Sequence, residues 1–167
     1  MQQMPPEKVI EIYSTLEELG IPIWIDGGWA KDAHIGRQTR EHRDLDFAVE
    51  RKNLDKLVSY FIGERYSEVE RPEENKWDIV LGDENGHELD IHAFDFDTNG
   101  QVLDKPYWDA YESDSLNAFG NIAGMKVHCV SLDHLLKTLD GTKRELREKD
   151  LHDLPLLLEL KNKQVLL

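Results

Sequence analysis

Two short stretches, DLDFAV at 44–49 and HELDIHAF at 87–94, constrain the fold of this chain most strongly. Each alternates apolar and polar residues with the period of two that belongs to a β-strand. In the first, Leu45 and Phe47 share one face and Asp44 and Asp46 the other. In the second, Leu89 and Ile91 lie opposite Asp90 and His92. If these strands are neighbours, the aliphatic faces are buried together and the carboxylates gather on the other side. Carboxylates so placed repel one another unless a cation lies among them. Mg²⁺ takes oxygen ligands, commonly one or two carboxylates plus substrate phosphates. Asp44, Asp46 and Asp90 are therefore candidates for one metal-binding triad, and His92 for a supporting group beside it or a satisfied sheet histidine.

The flanking sequence supplies the frame. IPIWID reads as a short buried strand, and Gly27 and Gly28 follow it directly and open a helix, GGWAKDAHI, that Gly36 ends. PEKVIEIYSTLEELG and LDKLVSYFIG have the apolar spacing of amphipathic helices. KWDIVLGDENGHELDIHAF reads as a hairpin turning at Asn85-Gly86, and MKVHCV as one more strand. From Ser131, an N-cap candidate, the pattern is helical: SLDHLLKTLDG gives one helix and TKRELREKDLHDLPLLLELK one or two. Pro155 is expected in a first turn capped by Asp153, because proline damages a helix interior. Residues 98–124 show no clean period. The order predicts an α+β fold, a small mixed sheet backed by helices. A main unit at 1–128 carries a helical C-terminal segment at 129–167, packed on it as one compact unit.

A glycine turn at a helix start lets backbone N–H groups approach a phosphate, and the helix dipole favours the anion. Arg37, Arg40, His42 and Arg43 then place cationic groups just before the aspartates, and guanidinium suits bidentate phosphate contact. This basic stretch is conspicuous because the 167-residue chain has a formal net charge of −14. Such a surface disfavours a nucleic-acid partner and favours a cationic small molecule. The N-terminus lacks the pattern of a secretion signal and no apolar run would span a bilayer, so the expectation is a cytoplasmic protein. The single cysteine, Cys129, sits in an apolar stretch and reads as a buried thiol. Trp29 reads more as a packing residue than as a base contact. Trp77, Tyr107, Trp108 and Tyr111 are candidates for an acceptor pocket, with at least two of them core. Asp150 and Asp153 read as partners of Arg147 and Lys149 or as helix caps.

With strand, glycine turn, basic loop and D-x-D strand in this order, the chain resembles the nucleotidyltransferase superfamily. More narrowly, it resembles the aminoglycoside 2″-adenylyltransferase and lincosamide nucleotidyltransferase group. The residues that carry the resemblance are DGGWAKDAHIGRQTREHRDLDF at 26–47, LDIHAF at 89–94, IAGMKVHCVS from 122, and GTKRELREKDLHDLPLL at 141–157. It covers roughly residues 20–158 and is weakest at 51–80 and 98–120. The resemblance implies a polymerase-β-like nucleotidyltransferase fold. It also implies in-line attack by a substrate hydroxyl on the α-phosphorus of a nucleoside triphosphate, ATP or another, with pyrophosphate leaving. By the same resemblance, Asp44 and Asp46 hold metal, with two Mg²⁺ ions in play, and Asp90 serves as general base and touches metal. Gly27, Gly28 and the N–H of Trp29 cradle phosphate, Arg40 and His42 contact the triphosphate, and Lys143, Arg147 and Lys149 add positive charge. The implied acceptor is an aminoglycoside-like polycation, with a lincosamide the nearest alternative and a homodimer a possible assembly. Two other readings are a nucleotide-binding antitoxin or regulatory partner on the same fold, and a member that binds nucleotide without chemistry.

Overall fold

The computed structural model describes residues 3–70, 78–104 and 107–165. Trp77 lies outside the described residues. In chain order the elements are α1 (Pro6–Glu18), β1 (Ile23–Ile25), α2 (Gly27–Ile35), β2 (Asp44–Glu50), α3 (Leu54–Gly63), β3 (Ser67–Glu68), β4 (Asp78–Gly82), β5 (Glu88–Phe96), β6 (Val102–Leu103), β7 (Ala118–Ile122), β8 (Met125–Cys129), α4 (Leu132–Thr138) and α5 (Glu148–Val165). Among the described residues, the strands form one mixed sheet in the order β3-β4-β5-β2-β1-β8-β7, with β6 on β5. The two alternating stretches are neighbours, as expected, and run parallel: Leu45 lies opposite Leu89, Asp46 opposite Asp90, and Phe47 opposite Ile91.

That register separates the faces. Leu45, Phe47, Leu89 and Ile91 are fully buried with Ile23 and Ile25 of β1, Val9 and Leu16 of α1, and Leu57 of α3. The other face carries Asp44, Asp46, Asp90 and His92, and farther along it Trp24, Phe94 and Tyr111. Their rings meet edge to face, with centroids 5.5 Å apart for Trp24–Phe94 and 6.2 Å for Phe94–Tyr111. Cys129 is buried as expected, its thiol pushed up to about 12, first by desolvation and then by Asp26.

The aperiodic 98–124 region contains a strand that the pattern did not show. β7 pairs antiparallel with β8 through a turn at Ala123-Gly124, both at positive φ. Its sequence, AFGNI, has no apolar alternation. Its place is fixed by Gly120, where a Cβ would come within 2.5 Å of the Ala33 Cβ on α2.

The C-terminal segment corrects a second expectation. Pro155 lies inside α5, a continuous helix of 18 residues, rather than in a first turn. The ring removes the bond to the Leu151 carbonyl. Tertiary anchors hold the helix before and after it: Asp150, Asp153 and Leu157 are all buried on one side. Asp150 accepts from the backbone N–H of Arg147 (2.9 Å), from Arg147 Nε (2.9 Å) and from Arg144 (2.7 Å). Burial alone would raise the Asp150 carboxyl, but these donors outweigh it and hold it far below the ordinary carboxylate range. A carboxyl depressed on folding contributes stability that is present above its unfolded value, about pH 4, and is lost as pH falls toward the folded value. Asp150→Asn is therefore expected to cost about 3 kcal/mol at neutral pH. It should also flatten the acid limb, losing less stability than wild type between about pH 4 and pH 2. Chemical denaturation across that range checks this, and parallel pH curves for the two proteins would contradict it.

Candidate active site

The parallel register puts Asp46 and Asp90 side by side at one level, with Asp44 opposite Glu88 two residues nearer the strand starts. Ligand atoms of Asp46, Asp90 and His92 all lie within 4.8 Å of one another. His92 Nε2 stands 3.9 Å from Asp46 Oδ1 and 3.9 Å from Asp90 Oδ1. Asp44 borders this tightest group on the same face. The carboxyls are set apart electrostatically. Asp44 is raised, first by burial and then by the charge of Asp46. Asp46 also feels burial, but the hydrogen bond and charge of His92, helped by Lys149 and Lys31, bring it below its ordinary value. Two facing carboxylates that line a cleft and a half-buried imidazole beside them form a donor set that fits a divalent cation completed by phosphate oxygens.

The glycine turn sits directly against these carboxylates. The Asp26 N–H donates to the Asp46 carbonyl (2.8 Å), tying the start of α2 to β2. Gly27 has φ +59°, and a Cβ there would lie 2.1 Å from Asp46 Oδ2. A Cβ on Gly28 would lie 2.3 Å from His42 Nδ1. Both positions thus exclude a side chain for reasons of packing. The Ala30 N–H bonds back to the Asp26 carbonyl and the Gly27 N–H to Asp26 Oδ1. The N–H groups of Gly28 and Trp29, second and third in the helix, have no carbonyl one turn earlier to bond.

A cleft of about 260 Å³ joins the turn to the carboxylates. Of the residues expected from sequence, Gly27, Gly28, Arg40, Arg43, Asp44, Asp46, Asp90, Arg147 and Lys149 line it. A wider recess of about 530 Å³ adjoins it past Arg43, Lys149 and His152. Lys143 is exposed on the turn after α4 and does not line either space.

Two expectations change, while Trp29 packs in the core as expected. His42, expected to touch triphosphate, is 4% exposed; Asp32 takes its Nε2 (2.5 Å) and Arg40 meets its Nδ1 (3.1 Å). It supports Gly28 from beneath and does not face the cleft. The Trp29 side chain packs in the core against the His42 ring (4.6 Å), so only its N–H is at the turn. The partners of Asp150 and Asp153 also differ. Asp150 takes Arg144 as well as Arg147, and Asp153 takes Arg40 and Lys31 instead of Lys149.

Asp153 reaches from α5 to accept from Arg40 Nε (2.9 Å) and Nη2 (3.0 Å) and from Lys31 Nζ (3.0 Å). Lys31 lines the cleft and was not anticipated, although it falls three and four residues after the glycines and hence on their helix face. Asp26 was not anticipated either. Of the aromatic candidates, Tyr111 is buried and donates to Asp26 Oδ2 (2.5 Å), Trp108 is half-buried, and Tyr107 is exposed.

A family model described as aminoglycoside-2″-adenylyltransferase matches residues 8–157. A 2″-aminoglycoside nucleotidyltransferase of Klebsiella pneumoniae is 34% identical over 137 residues, covering 75% of this chain and 67% of its own. A lincosamide resistance protein of Staphylococcus haemolyticus is 26% identical over 99 residues, 58% of each chain. Among solved structures, lincomycin-bound lincosamide antibiotic adenylyltransferase LnuA superposes with TM-score 0.82 at 24% identity, covering 95% of this chain and 99% of its own. ANT(2″)-Ia in complex with adenylyl-2″-tobramycin gives 0.74 at 20% identity, covering 91% and 86%. These two likenesses show the fold, which is the nucleotidyltransferase fold expected from sequence. Among the described residues, no helix is long and apolar enough to cross a membrane.

Proposed function

Because the chain belongs to the aminoglycoside-2″-adenylyltransferase family and is a nucleotidyltransferase, we propose that it transfers a nucleoside monophosphate, AMP from ATP in the first instance, to a hydroxyl of a small cationic antibiotic, with release of pyrophosphate. The observation that carries this reading is the in-register placement of Asp46 and Asp90 beside a helix start that Gly27 presses against Asp46. Asp46 and Asp90 would hold Mg²⁺, with Asp44 bordering and His92 beside them. Bound there, the metal would neutralise phosphate charge and favour attack at the α-phosphorus.

The chain's own groups do the rest. The N–H groups of Gly28 and Trp29 bind phosphate oxygens at the positive end of α2. Arg43, Arg147 and Lys149 line the cleft and balance the triphosphate charge. Asp90 accepts the proton of the attacking acceptor hydroxyl. Asp153 keeps Arg40 and Lys31 at the cleft wall. The net charge of −14 draws a polycationic acceptor toward a site whose own wall is basic, separating acceptor attraction from nucleotide binding.

An aminoglycoside is the first acceptor reading, supported by the family match. A lincosamide is the second, favoured by the Staphylococcus haemolyticus relative. A panel of both antibiotic classes with each nucleoside triphosphate, read by mass spectrometry, tests them. We expect one acceptor class to gain the mass of one nucleoside monophosphate, with Mg²⁺-dependent pyrophosphate release. No mass gain with any pairing would overturn the proposed reaction.

A further inference from the structure

The turn that opens α2 is capped in an uncommon way. An aspartate at this position ordinarily accepts from the N–H of the second or third helical residue, here Gly28 or Trp29. Asp26 bonds neither. Its Oδ1 accepts from the Gly27 N–H at 2.7 Å, and its Oδ2 accepts from the Tyr111 hydroxyl at 2.5 Å. Tyr111 is 8% exposed and comes from the segment between β6 and β7, where its own N–H donates to Asp104 Oδ2 (2.8 Å) and its ring packs on His134 (5.0 Å). Burial, and then the charge of Asp26, holds the Tyr111 hydroxyl well above the ordinary phenol range, so it remains a donor.

We propose that Tyr111 is a positioning residue: by holding Asp26 Oδ2, it keeps the Asp26 carboxylate off the Gly28 and Trp29 N–H groups and leaves the start of α2 open to phosphate oxygens. This rests on the reading of the cleft as a triphosphate site. Without the hydroxyl, the nearest donors that an N-cap carboxylate can reach are those same two N–H groups. There it would occupy the phosphate's donors and repel the phosphate's charge. The new cap would also offset part of the lost hydrogen bond, so phosphate affinity should fall more than stability does.

The test is calorimetric titration with Mg²⁺-tripolyphosphate, a phosphate chain without a base. Tyr111→Phe is expected to weaken binding about tenfold or more, the scale of a lost charge-assisted hydrogen bond. Adding Asp26→Ala to Tyr111→Phe should restore binding to within about threefold of wild type, because no carboxylate is left to compete. Tyr13→Phe removes another buried hydroxyl, one that accepts from the His128 N–H (3.0 Å). It should lower the melting temperature and leave tripolyphosphate affinity unchanged. Wild-type affinity in Tyr111→Phe would overturn the role of Tyr111 alone. So would a double variant that folds yet binds no better than Tyr111→Phe. If Tyr111→Phe does not fold, the double variant decides: near-wild-type binding supports the proposal, and binding weakened tenfold overturns it. A wild-type protein that binds no Mg²⁺-tripolyphosphate would overturn the triphosphate reading itself.

Discussion

Asp90→Asn is expected to lower turnover by about a hundred- to ten-thousandfold, the range that a general base contributes, with little change in melting temperature. Asparagine keeps the size of the side chain. The β5 backbone stays paired with β2 on one side and β4 on the other. The substitution takes one charge from a face that already carries Asp44 and Asp46, which relieves repulsion within the fold. It also removes the group proposed to take the acceptor proton and one oxygen donor from the cation site. The loss should therefore fall on kcat and leave folding nearly untouched. Steady-state kinetics beside a thermal melt reads both, and turnover within tenfold of wild type would remove Asp90 from its proposed role.

Asp153→Ala is expected to be the most destabilising single change among the charged residues considered, at about 3–5 kcal/mol. The side chain is 3% exposed and is the shared partner of Lys31, itself 8% exposed, and Arg40, 19% exposed. Its carboxyl is held low because the hydrogen bonds and charges of Arg40 and Lys31 overcome the opposing effect of burial. Truncation would leave two poorly hydrated cations without their anion, next to a third, Lys149, at the cleft wall. For a domain of this size the melting temperature should fall by about 10 °C or more. The effect should also reach function, because this contact ties α5, and with it Lys149, to the cleft wall. A fall of less than about 3 °C would mean that the packing of α5 through Leu157, and not the ion pairs, fixes its place.

The fold was most legible where one local rule decided the outcome. DLDFAV and HELDIHAF could be read as strands because alternation has one structural solution, and pairing them required only that their aliphatic faces be buried together. Gly36 and Ser131 marked helix boundaries through their own backbone and side-chain chemistry, with φ +80° at Gly36 and a cap from Ser131 to the His134 N–H. What stayed hidden depends on partners distant in sequence. Pro155 is tolerated mid-helix because Asp150, Asp153 and Leu157 anchor α5 on both sides of it. β7 pairs with β8 and packs on α2 where Gly120 meets Ala33, a contact that no local period encodes.

The site divides in the same way. The carboxylates and glycines were legible because motif order suggested a common purpose. His42 was misplaced because its position in a basic run resembles that of the exposed arginines, whereas Asp32, ten residues earlier, draws it into the core. Tyr111 and Asp26 are 85 residues apart, and nothing in either local sequence connects them. Lys31 could have been found from helical spacing, since it follows the glycines by three and four residues.

The most direct measurement of the central claim is a co-crystal structure with Mg²⁺ and a non-hydrolysable nucleoside triphosphate analogue. Metal density is expected between Asp46 and Asp90 and phosphate oxygens on the Gly28 and Trp29 N–H groups, with Arg43 and Lys149 along the chain of phosphates. An analogue bound elsewhere, or a metal bound without Asp46 and Asp90, would contradict it.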